Sequence, residues 1–164
     1  MRPTIPFYPF LMILFLSFGF SSGVAQSGST QLELTEAETG REIFSAVLED
    51  GEQIVLTWKN SLFDLLVTEV FETHGGALVL TQVTYADPRG TTPPDVSPSD
   101  AAEFYQTGGP FSAKGLARPF QKLIFRVGEI GEPKMKIRNQ VLDFKIEVGF
   151  GGGIVLTAKR ANSL

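Results

Sequence analysis

Two-residue alternation of side chains is the feature that most constrains how this chain folds. Residues 54–59 read Ile-Val-Leu-Thr-Trp-Lys, and residues 142–148 read Leu-Asp-Phe-Lys-Ile-Glu-Val. Successive side chains of a β-strand point to opposite faces of the sheet, so this period is typical of half-buried strands. The alternation predicts nine strands, at residues 31–36, 41–48, 52–59, 65–73, 77–86, 120–127, 133–138, 142–148 and 153–160.

Short glycine-containing turns separate most of these predicted strands. Examples are Glu-Thr-Gly at 38–40, Glu-Asp-Gly at 49–51 and His-Gly-Gly at 74–76. Glycine tolerates the positive φ angles that tight hairpins require, and such short connections leave no room for a crossover helix. The pattern therefore predicts an all-β fold, an antiparallel β-sandwich or partly closed barrel of about eight to nine strands.

Residues 87–119 interrupt the alternation and are predicted to form one long Pro-rich loop within this β domain. The segment contains six prolines among polar residues, and proline has no backbone N–H for a ladder. Its middle favours one helical turn, with Ser99 as the N-cap of residues 100–106 and Gly108 as the stop. Among the surfaces of the domain, this loop is the first candidate for contact with a partner.

The first 25 residues are predicted to be a cleaved signal peptide. Arg2 precedes an apolar run over residues 7–18, and Gly23 and Ala25 are small residues at the −3 and −1 positions. The run is shorter than the roughly 20 apolar residues of a membrane span, and no cysteine follows it for a lipid anchor. The prediction is one β domain of residues 26–164, soluble after signal removal and periplasmic or otherwise extracytoplasmic.

The composition argues against several functional classes. The chain has no cysteine, one histidine (His74) and a formal net charge of −4. Thiolate metal sites, Cys nucleophiles and multi-histidine centres therefore lack their ligands, and an acidic chain repels nucleic-acid phosphates. We expect a protein that is not an enzyme, with no cofactor, no metal site and no nucleic-acid partner.

Glu69 is the most informative single residue of the sequence. Alternation places its side chain on the same face as the apolar residues at 65, 67 and 71. An unpaired buried carboxylate costs several kcal/mol, so Glu69 needs hydrogen-bond donors or a raised pKa. Asn60 and Ser61 lie on the nearest connection. Two interpretations remain open: Asn60, Ser61 and Glu69 line a small polar site, or they lock the hairpin.

Three segments resemble a family of small exported prokaryotic β proteins classed as a domain of unknown function. They are Leu32–Gly40, Trp58-x-Asn60-Ser61-Leu62 and Val67-x-Glu69-x-Phe71. The family pattern reads aromatic-x-His-Ser-Val and then Pro-Val-x-Glu-x-Phe. Asn60 replaces the histidine, Leu62 the valine and Leu66 the proline, whereas Ser61, Val67, Glu69 and Phe71 match. The resemblance covers residues 32–80, weakens after residue 120 and is absent across residues 87–119.

The resemblance implies a function, because members of this family are often encoded beside TAXI-type TRAP transporter permeases. It implies an exported, non-catalytic accessory protein whose partner is a TRAP-type solute-binding protein or permease. The alternative is a β-sandwich module that binds an envelope glycan or a small solute. Aromatic contacts for such a ligand are expected from Trp58, Tyr85, Phe104 and Tyr105.

Overall fold

The computed structural model describes residues 28–162, which form eleven β-strands and two short helices. The strands are β1 (Ser29–Glu36), β2 (Glu42–Glu49), β3 (Gln53–Asn60), β4 (Leu65–His74), β5 (Ala77–Ala86), β6 (Asp95–Val96), β7 (Phe111–Phe120), β8 (Lys122–Arg126), β9 (Lys134–Ile137), β10 (Gln140–Asp143) and β11 (Gly153–Arg160). The helices are α1 (Ala101–Thr107) and α2 (Phe144–Val148). The predicted signal peptide and the predicted N-terminus at Gln26 lie outside the described residues.

The strands form two open sheets that pack face to face. The four-stranded sheet has the order β2-β1-β11-β8, and the seven-stranded sheet has the order β10-β9-β3-β4-β5-β7-β6. Neighbouring strands are antiparallel apart from the short parallel pair of β6 and β7. Strand β1 contacts β4 across the interface, and β11 contacts β5. This confirms the predicted all-β fold as a β-sandwich.

The core lies between the two sheets and is built from the alternating apolar positions. Leu32 and Leu34 of β1, Leu56 of β3, and Ile154 and Leu156 of β11 are all at most 2% exposed. Burying one such aliphatic side chain stabilises the folded state by about 1.5–3 kcal/mol. In these three strands the two-residue period of the sequence therefore shows which side faces the core.

The structure corrects the prediction of one irregular loop over residues 87–119. The segment contains β6, α1 and most of β7, and β7 pairs with β5 inside the seven-stranded sheet. The register shifts between Leu80 and Gln82, so the buried positions of β7 move from Phe111 and Ala113 to Leu116. A bulge of this kind breaks the two-residue period, which is why the alternation did not reveal the strand.

Gly115 and Pro119 also explain why β7 has the composition of a loop. Gly115 lies in the bulge with a φ of 73°, a conformation that glycine adopts without steric cost. Pro119 pairs opposite Val79, at the end of β7 that β6 does not cover. Proline is tolerated where one side of a strand is uncovered, because a missing N–H on that side costs no ladder hydrogen bond.

The helical turn predicted inside this segment is present as α1, one residue later than expected. Asp100 rather than Ser99 occupies the N-cap position, and its side chain makes no capping hydrogen bond. Gly108 ends the helix in the left-handed conformation, as predicted. The buried Ala101 attaches the helix to the core.

The predicted strand over residues 142–148 is wrong from residue 144 onward. Strand β10 ends at Asp143, whose carboxylate accepts hydrogen bonds from the backbone amides of Lys145 at 3.1 Å and Ile146 at 3.4 Å. These bonds cap helix α2, in which Phe144 is buried and Ile146 is 82% exposed. An N-cap aspartate followed by a short helix thus overrides the alternation. With β6 and β7 added to the nine predicted strands, the strand count is eleven, not eight to nine.

Candidate functional site

Glu69 lies in the middle of the inner face of the seven-stranded sheet. Strand β4 pairs with β3 and β5, and Glu69 stands opposite Leu56 on one side and Val83 on the other. Its neighbours along the strand on the same face, Val67 and Phe71, are buried. The structure therefore places a carboxylate on an apolar face, where the alternation predicts it.

Burial raises the pKa of the Glu69 carboxyl above its ordinary value, and the nearby Trp58 side chain partly opposes the rise. Trp58 stands opposite Val67, which makes it a diagonal neighbour of Glu69 across the β3–β4 ladder. Diagonal neighbours on one face are close enough for a long aromatic side chain to reach. None of the ion pairs found in residues 28–162 includes Glu69.

An aromatic cluster continues from Trp58 across the same face. The Trp58 and Tyr85 rings meet edge to face with centroids 6.2 Å apart, and Tyr85 stacks on Phe111 at 5.0 Å. Tyr105 of α1 packs edge to face on Tyr85 at 5.2 Å, and Phe104 is tilted against Phe111 at 5.6 Å. The structure thus brings the four predicted aromatic residues into one cluster.

Most of this aromatic cluster is packing rather than free binding surface. Tyr85 is only 7% exposed, and Phe111 is fully buried. Burial raises the pKa of both Tyr85 and Tyr105, and the nearby negative charge of Glu69 adds to each rise. Trp58 is the member of the cluster that also lines an open cleft.

This cleft has a volume of about 250 Å³ and lies between the inner face of the seven-stranded sheet and the outer strand of the other sheet. Its lining from the seven-stranded sheet is Leu56, Trp58 and Glu69, and its other lining is residues 124–126 of β8 with Gly131 and Pro133. Glu69 is the one carboxylate in this lining. We refer to it below as the Glu69 cleft.

Arg126 brings a positive charge to the mouth of the Glu69 cleft, but that charge is paired elsewhere. Its Nη1 atom donates to Oε1 of Glu38 at 2.6 Å. The other oxygen of Glu38 accepts from the backbone amide of Gly153 at 3.2 Å. That amide and Arg126 lower the pKa of Glu38, which keeps the pair ionised. The guanidinium therefore has its counter-ion at Glu38.

Asn60 and Ser61 do not join Glu69. Asn60 stands opposite Leu65 at the end of the β3–β4 ladder, four pairs away from Glu69, or about 13 Å along the strand. The Asn60 side-chain oxygen accepts from the backbone amides of Leu62 at 3.0 Å and Phe63 at 3.2 Å, and Ser61 is exposed in the turn. Asn60 stabilises the turn, and Glu69 belongs to the separate cleft.

Sequence reasoning missed the β8 side of the Glu69 cleft. The strand predicted at residues 120–127 is present as β8, and its Phe125 lines the cleft. No local signal states that this strand lies opposite Trp58 and Glu69, because the two segments belong to different sheets and are far apart in the chain. The loop residues Gly131 and Pro133 carry no such signal either.

The described part of the chain offers little else for chemistry. His74 is exposed at the end of β4, with its Nδ1 atom 3.9 Å from a carboxylate oxygen of Asp50. Residues 28–162 contain no group of three or more His, Cys, Asp or Glu side chains arranged to hold a metal ion. Within the same range, no helix has the length and apolar character needed to cross a bilayer.

The Glu69 cleft combines one half-buried carboxylate with aromatic and aliphatic walls. The carboxyl group and the apolar walls are suited to binding a ligand. The lining contains no nucleophile beside a base. Searches against family models, curated proteins and solved structures found no match to this chain.

Proposed function

We propose that this protein is an exported, non-catalytic accessory component of a TAXI-type TRAP solute uptake system, acting through contact with its solute-binding protein or permease. The proposal rests on the sequence resemblance and on one structural observation. Val67, Glu69 and Phe71, which match the family pattern, share the inner face of β4, and Glu69 lines the Glu69 cleft together with Trp58. The three matching residues of the Val67-x-Glu69-x-Phe71 segment therefore lie on one face of one strand.

The rest of the chain supports binding rather than catalysis. Its single histidine is exposed at the end of β4, and Glu69 has no second acid or base beside it in the lining of the cleft. General acid–base catalysis normally uses paired groups within hydrogen-bond reach of one substrate. We therefore assign the protein the role of a partner or ligand binder, soluble after removal of its signal peptide.

The contact surface for the transporter is proposed to lie in the irregular part of residues 87–119. The stretch 88–92 is exposed, and α1 presents exposed residues beside it. Asp87 and Arg89 form an ion pair there, which offers charges of both signs to a partner. An exposed connection on a rigid β-sandwich is a common position for the recognition of a partner.

Gene deletion followed by uptake measurements tests this function. We expect uptake through the neighbouring TRAP transporter to fall in the deletion strain and to return with the wild-type gene. A copy carrying Glu69→Gln tests the cleft, and Glu72→Gln is the matched control, because Glu72 lies on the opposite face of β4. Normal uptake in the deletion strain, with no transporter component co-purifying with the protein, would contradict the proposal.

A second candidate function, binding of a small solute or an envelope glycan, is favoured by the Glu69 cleft itself. Trp58 is the single tryptophan of the chain and lines this cleft, so its fluorescence reports on the site directly. Titration with soluble envelope oligosaccharides and with small solutes should change that fluorescence in a saturable way. A response to neither class would argue against this second function and leave the transport proposal unaffected.

A further inference from the structure

The Glu69 cleft contains a carboxyl group that has no ionic partner among the described residues. Glu69 forms none of the ion pairs found in residues 28–162, and the lining cation, Arg126, is held by Glu38 at 2.6 Å. Within the lining, the Trp58 side chain lowers the pKa of Glu69, against the effect of burial. A half-buried carboxylate in such surroundings gains most from a cation that enters the cleft.

The walls of the cleft favour one kind of cation. Trp58 and Phe125 contribute aromatic rings, and Leu56 and Ile124 contribute aliphatic surface. Aromatic rings attract organic ammonium groups through their negative π faces, and aliphatic walls complement the carbon substituents of such a group. A hydrated metal ion instead requires several oxygen ligands, whereas Glu69 is the only carboxylate of this lining.

A neutral sugar suits the cleft less well than an organic cation. Sugar recognition needs several hydrogen-bonding groups placed around the ring, because each buried hydroxyl without a partner is costly. The lining provides Glu69 and the Arg126 side chain, whose charge is directed to Glu38. The cleft therefore complements the positive charge of an ammonium group better than it complements the hydroxyl groups of a neutral sugar.

We propose that the Glu69 cleft binds a small organic ammonium cation, with Glu69 as its counter-ion and the rings of Trp58 and Phe125 as its walls. This inference rests on the second proposed function, small-solute binding at the cleft, and names the chemical class of the solute. The inference requires a positively charged ligand, whereas small-solute binding in general does not. A probe and its uncharged isostere therefore distinguish the two.

Fluorescence titration of the mature protein tests the inference with choline as the probe. The matched compound is 3,3-dimethylbutan-1-ol, which has the same shape without the positive charge. Both titrations are run at about pH 8, because alkaline pH favours the ionised form of a carboxyl whose pKa is raised, and sodium chloride at equal ionic strength corrects for screening. We expect a saturable change of Trp58 fluorescence with choline and binding of the isostere that is about tenfold weaker, or about 1.4 kcal/mol.

Variants provide the second arm. Glu69→Gln keeps the shape of the side chain and removes its charge, so it should weaken choline binding about tenfold. Glu72→Gln removes a charge from the opposite face of the same strand and should leave the affinity unchanged. Because the comparison of the two probes uses the wild-type protein, a variant that fails to fold does not remove the test.

The results of these titrations distinguish ammonium binding from small-solute binding in general. Equal affinity for choline and its isostere, or unchanged choline affinity in a folded Glu69→Gln protein, overturns the ammonium inference and preserves small-solute binding. Absence of any saturable response to choline also overturns it, and the titrations with oligosaccharides and other solutes then decide the second function independently. Charge-dependent binding that requires Glu69 supports the inference.

Discussion

Replacement of Phe111 by alanine is the sharpest test of how this molecule is assembled. Phe111 is the first residue of β7, is fully buried, and stacks on Tyr85 with the ring planes 11° apart. Tyr105 also packs edge to face on it at 5.4 Å. The substitution removes the support of the aromatic cluster behind the Glu69 cleft, and it acts in the segment whose sequence reads as a loop.

The expected loss of stability is large. Truncating a buried phenylalanine to alanine costs about 3–5 kcal/mol, which combines lost transfer free energy with the cavity left behind. Each aromatic pair adds about 0.5–1.5 kcal/mol beyond burial. With one stacked and one edge-to-face tyrosine partner, we place Phe111→Ala near the upper end, at about 4–5 kcal/mol. That is a large part of the 5–15 kcal/mol typical of a domain.

Urea unfolding followed by Trp58 fluorescence measures this loss. Phe150→Ala is the matched control, because Phe150 is 70% exposed and its truncation should change the free energy of unfolding by less than about 0.5 kcal/mol. Phe111→Leu, which retains most of the buried volume, should lose only about 1–2 kcal/mol and remains measurable if the alanine variant does not fold. A loss below about 1 kcal/mol for Phe111→Ala would refute the packing of β7 under Tyr85.

Three further predictions concern the cleft, the β3–β4 turn and the irregular segment. Since burial raises the pKa of Glu69 above 4.5, its ionisation destabilises the folded state, and stability present below pH 4.5 is lost as the pH rises through the folded pKa. Glu69→Gln should therefore gain stability relative to wild type at alkaline pH more than at acid pH, and urea unfolding that shows no such difference contradicts this. Asn60→Ala should lower the free energy of unfolding by about 1 kcal/mol because two turn amides lose their acceptor, while Ser61→Ala should change it by less than about 0.5 kcal/mol. Trypsin should cut first after Arg89 in the exposed stretch 88–92, as read by mass spectrometry, and a first cut inside a strand would show that this segment is protected.

The sequence by itself determined which sides of the main strands are buried. In β3 and β4 the two-residue period assigns Leu56 and Val67 to the core and Glu69 to the same face, because alternation is a local property of extended backbone. Local chemistry also determined the helical turn that ends at Gly108, since a left-handed C-cap is readable from a single glycine. Both inferences need only residues close together in the chain.

Tertiary structure alone decided where β7 belongs and what surrounds Glu69. The bulge at Gly115 breaks the period of β7, and its pairing with β5 depends on a register that distant residues set. The opposite wall of the cleft comes from β8, which reaches Trp58 and Glu69 only because the two sheets pack face to face. Alternation indicates which face of its own strand a side chain takes. The residues opposite it across the core are long-range contacts, and only these contacts enclose Glu69 in a cleft.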